Sequence, residues 1–400
     1  MEQIIEQPPE RGALAPAVLA LAAATFTVVT TEMLPVGLLT ALGDGLRLSD
    51  GTAGLTVTLP GVVAALAALV LPVAVRGADR RSVLGALLAL LAGANLLAAL
   101  APTFGLLLAA RSLVGVCIGG VWAVAAGLGV RLVRGEQAGR ATAVIFSGIA
   151  LASVLGVPAG TLMGALAGWR WAFAALAGLA LAVAALLAAL LPPLPPRGAV
   201  RPAEIAGLLR LPALRAGMLA VALLVTGHFA AYTYVRPALE RVPAIRPGTV
   251  GVLLLVYGVA GVAGNFLGGA VAARTPRRAL LTVSAVLAGA VLLTVPARGS
   301  LPATVALLVV WGLAYGGVSV SAQNWLMAAV PAHREAGSAL FAGMFNAAIA
   351  LGALAGGRAA DRFEVAGALW LGGTLAALAL GAGLAAGRAE TGRGSRAYRP

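Results

Sequence analysis

The chain has 400 residues, of which 60% are hydrophobic and 10% charged, and its formal net charge is +14. Because a water-soluble domain carries about 25% charged residues, this composition excludes a set of soluble globular domains and indicates a membrane protein. All 28 basic residues are arginine. Without lysine the chain can form neither a Walker A phosphate loop nor a Schiff base to pyridoxal or retinal. The single cysteine, Cys117, can form no intramolecular disulfide.

Apolar stretches long enough to cross a bilayer core, about 20 residues each, recur along the whole chain. The first is too long for a signal peptide and follows an acidic flank, so we expect it to be retained. Charges, prolines and glycine pairs separate twelve spans, which cover 15–42, 52–73, 82–101, 103–131, 140–163, 168–191, 215–238, 249–272, 278–295, 301–330, 336–357 and 365–386. The sequence therefore predicts an all-α membrane protein with twelve transmembrane helices.

The arginines are distributed unequally between the two sides of the predicted membrane. With the N-terminus inside, nineteen lie in inner loops and tails and eight in outer loops, while Arg111 lies within a span. This bias follows the positive-inside rule. It predicts an inner (plasma) membrane protein with both termini in the cytoplasm, and it accounts for the positive charge without a nucleic-acid partner.

A proline-rich segment divides the spans into two sets of six. Residues 192–214 contain six prolines and three arginines, which predicts a cytoplasmic linker between an N-terminal half, 1–191, and a C-terminal half, 215–400. The halves resemble each other, since residues 149–151 leading to Gly156 recur 200 positions later as 349–351 leading to Gly356. Two pseudo-symmetric halves with a substrate site near the membrane midplane are typical of transporters.

Three ionisable residues stand out deep within predicted spans, where a charge is costly and therefore a functional candidate. At 1.5 Å per residue, Glu32 and His228 lie roughly 15 Å from the outer ends of their spans, and Arg111 lies roughly 12 Å from the outer end of its own. The three belong to different helices in both halves. The sequence therefore predicts one polar chamber between the halves.

Glu32 could carry a proton, or it could form a permanent ion pair with Arg111 that only fixes helix packing. Pro35 favours the first alternative, because it leaves the carbonyl of Thr31 without its helical donor and kinks the helix. Broken helices at membrane depth are tolerated where they line a cavity. Arg111 stays charged at ordinary pH, so it must face a carboxylate, carbonyl groups or water, and it could tune Glu32 or bind substrate.

His228 could relay protons or hydrogen-bond to a neighbouring helix. The other polar and aromatic residues at membrane depth could line a substrate pocket or join helices; the candidates are Thr31, Trp122, Tyr232, Asn265, Asn324 and Asn346. Neither histidine, His228 or His333, belongs to an HExxH pair, and the chain has no complete GxSxG motif. The sequence therefore predicts neither an enzyme nor a metal site.

Three motifs make the chain similar to the major facilitator superfamily, in its twelve-span drug:proton antiporter branch of sugar, nucleoside and chloramphenicol-type exporters. TEMLPVGLL resembles the branch's first-helix motif and places Glu32 at its acidic position. ARSLVGVCIGG resembles the motif whose arginine, here Arg111, the family associates with proton coupling. GVPAG resembles the antiporter signature, with Gly156, Pro158 and Gly160 forming the bend that the family associates with export.

The loop after the second span, VRGADRRSV, resembles the family's gating loop in part. Asp79 and Arg80 match, but Val75 replaces the leading glycine. The corresponding loop of the other half keeps Arg277 and Arg278, with Ala273 where an acid is expected. These departures weaken the expected charge lock between spans two and eleven.

The resemblance implies proton-coupled export of a small organic molecule, such as a drug, sugar or metabolite, by a monomer in the bilayer. It implies no cofactor, because the proton gradient supplies the energy. Uptake by symport or facilitated diffusion on the same fold is the first alternative. A membrane enzyme and a non-transporting sensor or scaffold are the others.

Overall fold

The computed structural model describes residues 14–75, 77–125, 132, 137–195, 207–243, 245–330 and 334–396. These residues fold into helices joined by short turns. In chain order the helices are α1 (Leu14–Leu46), α2 (Asp50–Ala74), α3 (Arg80–Leu100), α4 (Phe104–Ala125), α5 (Gln137–Ala167), α6 (Trp169–Leu190), α7 (Pro212–Tyr232), α8 (Val235–Glu240), α9 (Val250–Arg274), α10 (Pro276–Thr294), α11 (Leu301–Ala329) and α12 (Arg334–Arg396).

The described residues account for the twelve predicted spans. All of these helices except the short α8 are apolar and long enough to cross a membrane. The last of them, α12, is two spans joined at a break, where Phe363 (φ −128°, ψ 25°) and Glu364 (φ 57°, ψ 178°) are not helical. We call residues 334–362 the first arm of α12 and residues 365–396 its second arm.

The seventh span is shorter than the sequence predicts. The hydrophobic pattern predicts a helix to residue 238, but α7 ends at Tyr232 and the short α8 follows. Pro237 has no backbone N–H, so a helix continuing through it would leave the Thr233 carbonyl without a donor. The middle of the predicted linker, 196–206, the end of the predicted fourth span, 126–131, and the chain ends lie outside the described residues.

The repeat of 200 positions is also a repeat in packing. A Cβ added at Gly156 of α5 would lie 3.1 Å from the Thr30 side chain of α1. In the other half, Gly356 of α12 packs against Ala230 of α7 in the same way, and both partners are displaced by 200 positions. Close approach of helices through small residues is a common packing mode in membranes. The prediction of two pseudo-symmetric six-helix halves is confirmed.

The two halves pack together through α2 against the first arm of α12 and through α5 against α9. Their apolar cores are continuous, because Val36 and Val157 of the N-terminal half belong to the core of the C-terminal half. At the predicted outer end, a buried cluster joins Leu39 and Ala53 to Tyr234. The halves are therefore in contact at this end, and this contact lies beyond the three buried ionisable groups.

Candidate functional site

Arg111 is fully buried and donates hydrogen bonds to backbone carbonyls of two neighbouring helices. Its Nη1 donates to the Thr31 carbonyl at 2.9 Å and its Nη2 to the Glu32 carbonyl at 3.2 Å, both on α1. Its Nε donates to the Thr56 carbonyl of α2 at 2.9 Å. The guanidinium therefore joins α1, α2 and α4 at membrane depth.

Two of these carbonyls are acceptors that prolines leave free. A helical carbonyl normally accepts from the N–H four residues later. For Thr31 that residue is Pro35 and for Thr56 it is Pro60, and proline has no N–H to donate. Arg111 supplies both missing donors. The sequence allows a carboxylate, carbonyl groups or water as partners of Arg111, and in the structure its partners are carbonyl groups.

Glu32 lies beside Arg111 without a side-chain ion pair to it. Among the described residues, the direct ion pairs are Arg236 with Glu240 and Arg241 with Asp50. The Glu32 residue is 7% exposed, and its carboxylate lies within electrostatic range of Arg111 and of the Tyr315 phenol in the C-terminal half. The predicted alternative of a direct Glu32–Arg111 bridge is therefore not formed in this conformation.

A cluster of four buried rings and one half-buried ring lies on the other side of the interface between the halves. We call His228, Tyr232, Tyr257, Trp311 and Tyr315 the ring cluster. The His228 ring stacks on Tyr315 at 3.5 Å and on Tyr232 at 5.0 Å between centroids. Tyr232 in turn stacks on Tyr257 at 4.9 Å, and Trp311 meets His228 edge-on. Three helices of the C-terminal half, α7, α9 and α11, thus contribute to one aromatic surface.

One hydrogen bond specifies the tautomer of a neutral His228 side chain. Trp311 Nε1 donates to His228 Nδ1 at 3.1 Å, so in a neutral imidazole the hydrogen is on Nε2. His228 Nε2 and the Tyr257 hydroxyl are buried and have no hydrogen-bond partner among the described residues. The ring cluster therefore contains two unused polar groups.

The predicted chamber is present as two facing parts, one on each half. Glu32 and Arg111 form the part on the N-terminal half, and the ring cluster, which includes the predicted His228 and Tyr232, forms the other. Tyr315 connects the two, because it stacks on His228 and lies within electrostatic range of Glu32. Such an arrangement can bind a planar solute on one side and a proton on the other.

The two halves differ at the position of the buried arginine. Gly312 of α11 stands 201 positions after Arg111. A Cβ added at Gly312 would lie 2.4 Å from the Tyr257 carbonyl oxygen of α9. Tyr257 likewise stands 201 positions after Thr56. The neighbouring Trp311 bonds His228 instead. The fixed positive charge of this site is thus confined to the N-terminal half.

Other predicted pocket residues have varied surroundings. The Thr31 hydroxyl accepts from Asn95 Nδ2 at 3.3 Å, so it joins α1 to α3. Trp122 is partly buried against the core of the N-terminal half. Asn265 is exposed and Asn324 is half-buried. The structure therefore does not bring these two asparagines into the ring cluster.

Asn346 lies on the first arm of α12, where that arm meets α2. Its Nδ2 donates to the Ala342 carbonyl at 2.9 Å, while its Oδ1 is buried without a partner among the described residues. A Cβ added at Gly61 of α2 would lie 3.2 Å from the Asn346 carbonyl. This predicted residue is thus part of the seam between the halves.

The residues of the predicted antiporter signature lie between α1 and the opposite half. Gly160 packs directly on Leu34, as Gly156 packs on Thr30. The Pro158 carbonyl is 3.8 Å from the position of a Cβ at Gly251 on α9. Pro158 therefore lies where α5 touches the C-terminal half.

The predicted gating loops are bonded within their own halves. The Asp79 carboxylate accepts from the backbone N–H of Arg81 at 2.8 Å, capping α3, and from that of Leu194 at 2.6 Å. Arg80 donates to the Val75 carbonyl at 2.9 Å. These bonds tie the loop to the end of α6 rather than to α12.

The corresponding loop of the C-terminal half has a matching bond. Arg277 donates to the Gly383 carbonyl at 3.3 Å, and Arg81 donates to the Ala188 carbonyl. Each arginine therefore holds its loop to the last helix of its own half. Arg278 is exposed.

Sequence reasoning missed part of the site. Tyr257, Trp311 and Tyr315 lie on apolar helices, where an aromatic residue gives no sign of which neighbour it faces. Asn95 was also missed, although a lone amide within a predicted span is a hydrogen-bonding candidate.

Similarity to known proteins covers nearly the whole chain. A sequence profile of the Major Facilitator Superfamily matches residues 21–243 and 218–397. The purine ribonucleoside efflux pump NepI of Escherichia coli O6:K15:H31 is 32% identical over 360 residues, covering 90% of this chain and 91% of that protein. NepI of Salmonella paratyphi A is 30% identical over 359 residues, covering 90% of each. The transcription regulatory protein OpdE of Pseudomonas aeruginosa is 33% identical over 360 residues, covering 88% and 89%.

Solved structures share the fold at low sequence identity. A bacterial homolog of the human lysosomal transporter Spinster, in an inward-facing and unoccupied conformation, gives a TM-score of 0.77 at 14% identity, covering 95% of this chain and 98% of that one. The human organic anion transporter MFSD10 gives 0.67 at 18% identity, covering 94% and 100%. The chain belongs to the Major Facilitator Superfamily and has the fold of its multi-span membrane transporters.

Proposed function

We propose that the chain exports a small organic molecule across the inner membrane in exchange for protons, by alternating access to a site between its halves. The moving units are residues 1–191 and 215–400, joined by the cytoplasmic linker 192–214, with both termini in the cytoplasm. Rocking of two such halves around a midplane site is a general mode of transport. The functional unit is a monomer, and the proton gradient supplies the energy without a cofactor.

The observation that carries this proposal is a buried carboxylate that its neighbouring arginine leaves unpaired. Arg111 directs Nε, Nη1 and Nη2 to backbone carbonyls, so Glu32 remains available to bind a proton. A carboxyl group enclosed by apolar surroundings favours its neutral form, whereas contact with water allows it to ionise. Alternating exposure of Glu32 would therefore load and release a proton.

Arg111 has two tasks in this mechanism. Its bonds to free carbonyls hold α1 and α2 in place beside α4. Its permanent charge beside Glu32 also favours release of the proton once water reaches the carboxylate. Arg111 itself does not gain or lose a proton in this mechanism.

The relatives named efflux pumps support the outward direction, and their printed substrate supports a purine ribonucleoside as the first solute to test. The ring cluster favours the same class, because a flat base can stack on an aromatic side chain. Such stacking contributes about 1–3 kcal/mol per base. Tyr315 is the half-buried member on the Glu32 side, and we assign to it the first contact with the base.

Proton and substrate drive the cycle only if each has different affinities for the two conformations. In this scheme, a protonated Glu32 permits return to the inward-facing state, and substrate binding at the ring cluster favours the outward movement. Because proton and substrate compete for one cycle, the proton moves inward while the substrate moves outward. Uptake by symport on the same fold remains the alternative transport direction.

Transport in membrane vesicles of opposite orientation tests this proposal. Inverted vesicles with an acidic lumen should accumulate a labelled purine ribonucleoside such as inosine, and collapse of the pH gradient should stop accumulation. Accumulation only in right-side-out vesicles would support uptake instead. The relative named a transcription regulatory protein favours one further candidate, a membrane sensor; binding of inosine without movement in either orientation would support it.

A further inference from the structure

One contact between the halves at the predicted outer end joins Asp361 to the start of α2. Asp361 is the second-last residue of the first arm of α12, and its Oδ1 accepts from the backbone N–H of Gly51 at 2.9 Å. Its Oδ2 accepts from the Ser49 hydroxyl at 3.1 Å. The donors and the acceptor are 310 and 312 residues apart and belong to different halves.

These donors belong to a helix N-terminus. Ser49 is the N-cap of α2, and its hydroxyl also accepts from the Thr52 N–H at 3.1 Å. The first N–H groups of a helix have no partner within it, and the partial positive charge there favours a carboxylate. Asp361 therefore completes the cap of α2 from the opposite half.

The contact has no room for a side chain at residue 51. A Cβ added at Gly51 would lie 2.5 Å from the Gly357 carbonyl and 2.6 Å from the Asp361 Cγ. Both distances are shorter than real Cβ contacts, so the two halves would have to separate. Glycine at residue 51 thus permits the approach that Asp361 needs.

Tyr234 fills the layer directly below. It is fully buried, and its hydroxyl donates to the Ala353 carbonyl of α12 at 2.7 Å. A Cβ at Gly54 of α2 or at Gly357 of α12 would meet that hydroxyl. The polar contact above and the tyrosine below therefore form one continuous seal across the outer end.

Neighbouring inter-half bonds are of other kinds. Arg241 pairs with Asp50 at 3.2 Å, with 47% and 24% of the side chains exposed, and exposed ion pairs contribute little. Glu240 accepts from the Thr40 hydroxyl at 2.6 Å. Asp361 is also exposed, but it differs from both because its two donors are at the N-terminus of a helix.

We infer that Asp361 is a positioning residue of the transport cycle, which holds the outer end closed by capping α2 across the interface. The outer latch, defined as Asp361 with Ser49 and Gly51, must break whenever the site opens outward. Removing the charge of Asp361 should therefore shift the population toward the outward-open state. This inference concerns the balance of conformations and does not depend on the substrate or on proton coupling.

Accessibility of an introduced cysteine measures that balance. The sole native cysteine, Cys117, is fully buried and is removed as Cys117→Ala. Leu39→Cys then places one thiol in the buried outer cluster, where a smaller side chain fits. A membrane-impermeant maleimide added to right-side-out vesicles, without substrate or pH gradient, reports the open fraction through its reaction rate.

In this background, Asp361→Asn should raise the labelling rate about two- to fivefold, the range expected for one charge at a helix terminus. Gly51→Ala should raise it as well, because it blocks the approach while leaving Asp361 intact. The matched control is Glu364→Gln, which removes an exposed carboxylate three residues along the same turn and should leave the rate unchanged.

Equal rates for Asp361→Asn and Glu364→Gln would overturn the inference. A labelling rate that rises with Gly51→Ala but not with Asp361→Asn would also overturn it, since the seal would then depend on steric packing alone. Monodispersity in detergent checks that each variant is folded. Because no transport is measured, either negative result leaves the proposed export function untouched, and failure of export would leave the latch untouched.

Discussion

Arg111 donates a 2.9 Å hydrogen bond to the carbonyl of Thr31. That carbonyl lacks a helical donor because the residue four positions later is Pro35. The same arginine reaches the Thr56 carbonyl, which Pro60 leaves free. A buried charge thus supplies donors to two helical carbonyls that prolines leave free and remains beside Glu32, which links the fold of the site to its proposed chemistry.

This relationship predicts coupling between Arg111 and Pro35. Arg111→Gln should lower the unfolding free energy by about 1–3 kcal/mol for each carbonyl left without a donor. In a Pro35→Ala background the new N–H can bond Thr31, so the cost should be about 1 kcal/mol smaller. Denaturant unfolding in detergent of the two single variants and the double variant measures the difference. Equal costs in both backgrounds would contradict the assigned bond.

The glycines of the repeat should be required at equivalent places. Gly156→Val and Gly356→Val each force α1 or α7 away from its partner and should cost about 1–3 kcal/mol, as overpacking usually does. Gly178→Val is the control, because a Cβ there meets nothing. Thermal unfolding in detergent ranks the three variants. A control as unstable as the others would show that the effect is unrelated to packing.

Tyr315 should bind the solute through its ring and not through its hydroxyl. Tyr315→Leu should weaken inosine binding about tenfold, within the 1–3 kcal/mol that stacking contributes, whereas Tyr315→Phe should bind nearly as well as the native chain. Trp171→Leu removes an exposed aromatic ring and serves as the control. Calorimetric titration gives the three dissociation constants. Similar affinities for the Leu and Phe variants would remove Tyr315 from the binding surface.

Asp79 should stabilise its own half without controlling the outer end. Asp79→Ala removes the cap of α3 and the bond to Leu194, so we expect a loss of about 1–2 kcal/mol. Asp44→Ala, at an exposed position, should be neutral. The labelling rate of Leu39→Cys should stay unchanged in both variants. A changed rate with Asp79→Ala would instead support the gating role that the family resemblance implies.

The general architecture follows from the sequence because a bilayer imposes strong constraints. Apolar length defines the spans, and arginine bias predicts their orientation. Pro35 predicts a free carbonyl at Thr31, and the structure shows which donor takes it. The shortened α7 was less predictable, since its end depends on Pro237, which lies beyond the turn residues Thr233 and Tyr234.

Contacts between distant helices could not be predicted in the same way. The bond of Asp361 to Gly51 joins residues 310 positions apart, and neither residue alone indicates a cap supplied by another half. Tyr257 and Tyr315 give no periodic signal within helices that are apolar on all sides. Only their placement against Tyr232 and His228 makes them candidates, and that placement is a property of tertiary packing.

Proton-driven accumulation by Glu32→Gln in proteoliposomes tests the central claim most directly. Two assays are compared: accumulation of inosine driven by a pH gradient, and exchange of labelled for unlabelled inosine without a gradient. Glu32→Gln should lose the first and keep the second, because glutamine cannot carry a proton, and Glu364→Gln should keep both. Gradient-driven accumulation by Glu32→Gln at the rate of Glu364→Gln would contradict the assignment of Glu32 as the proton carrier.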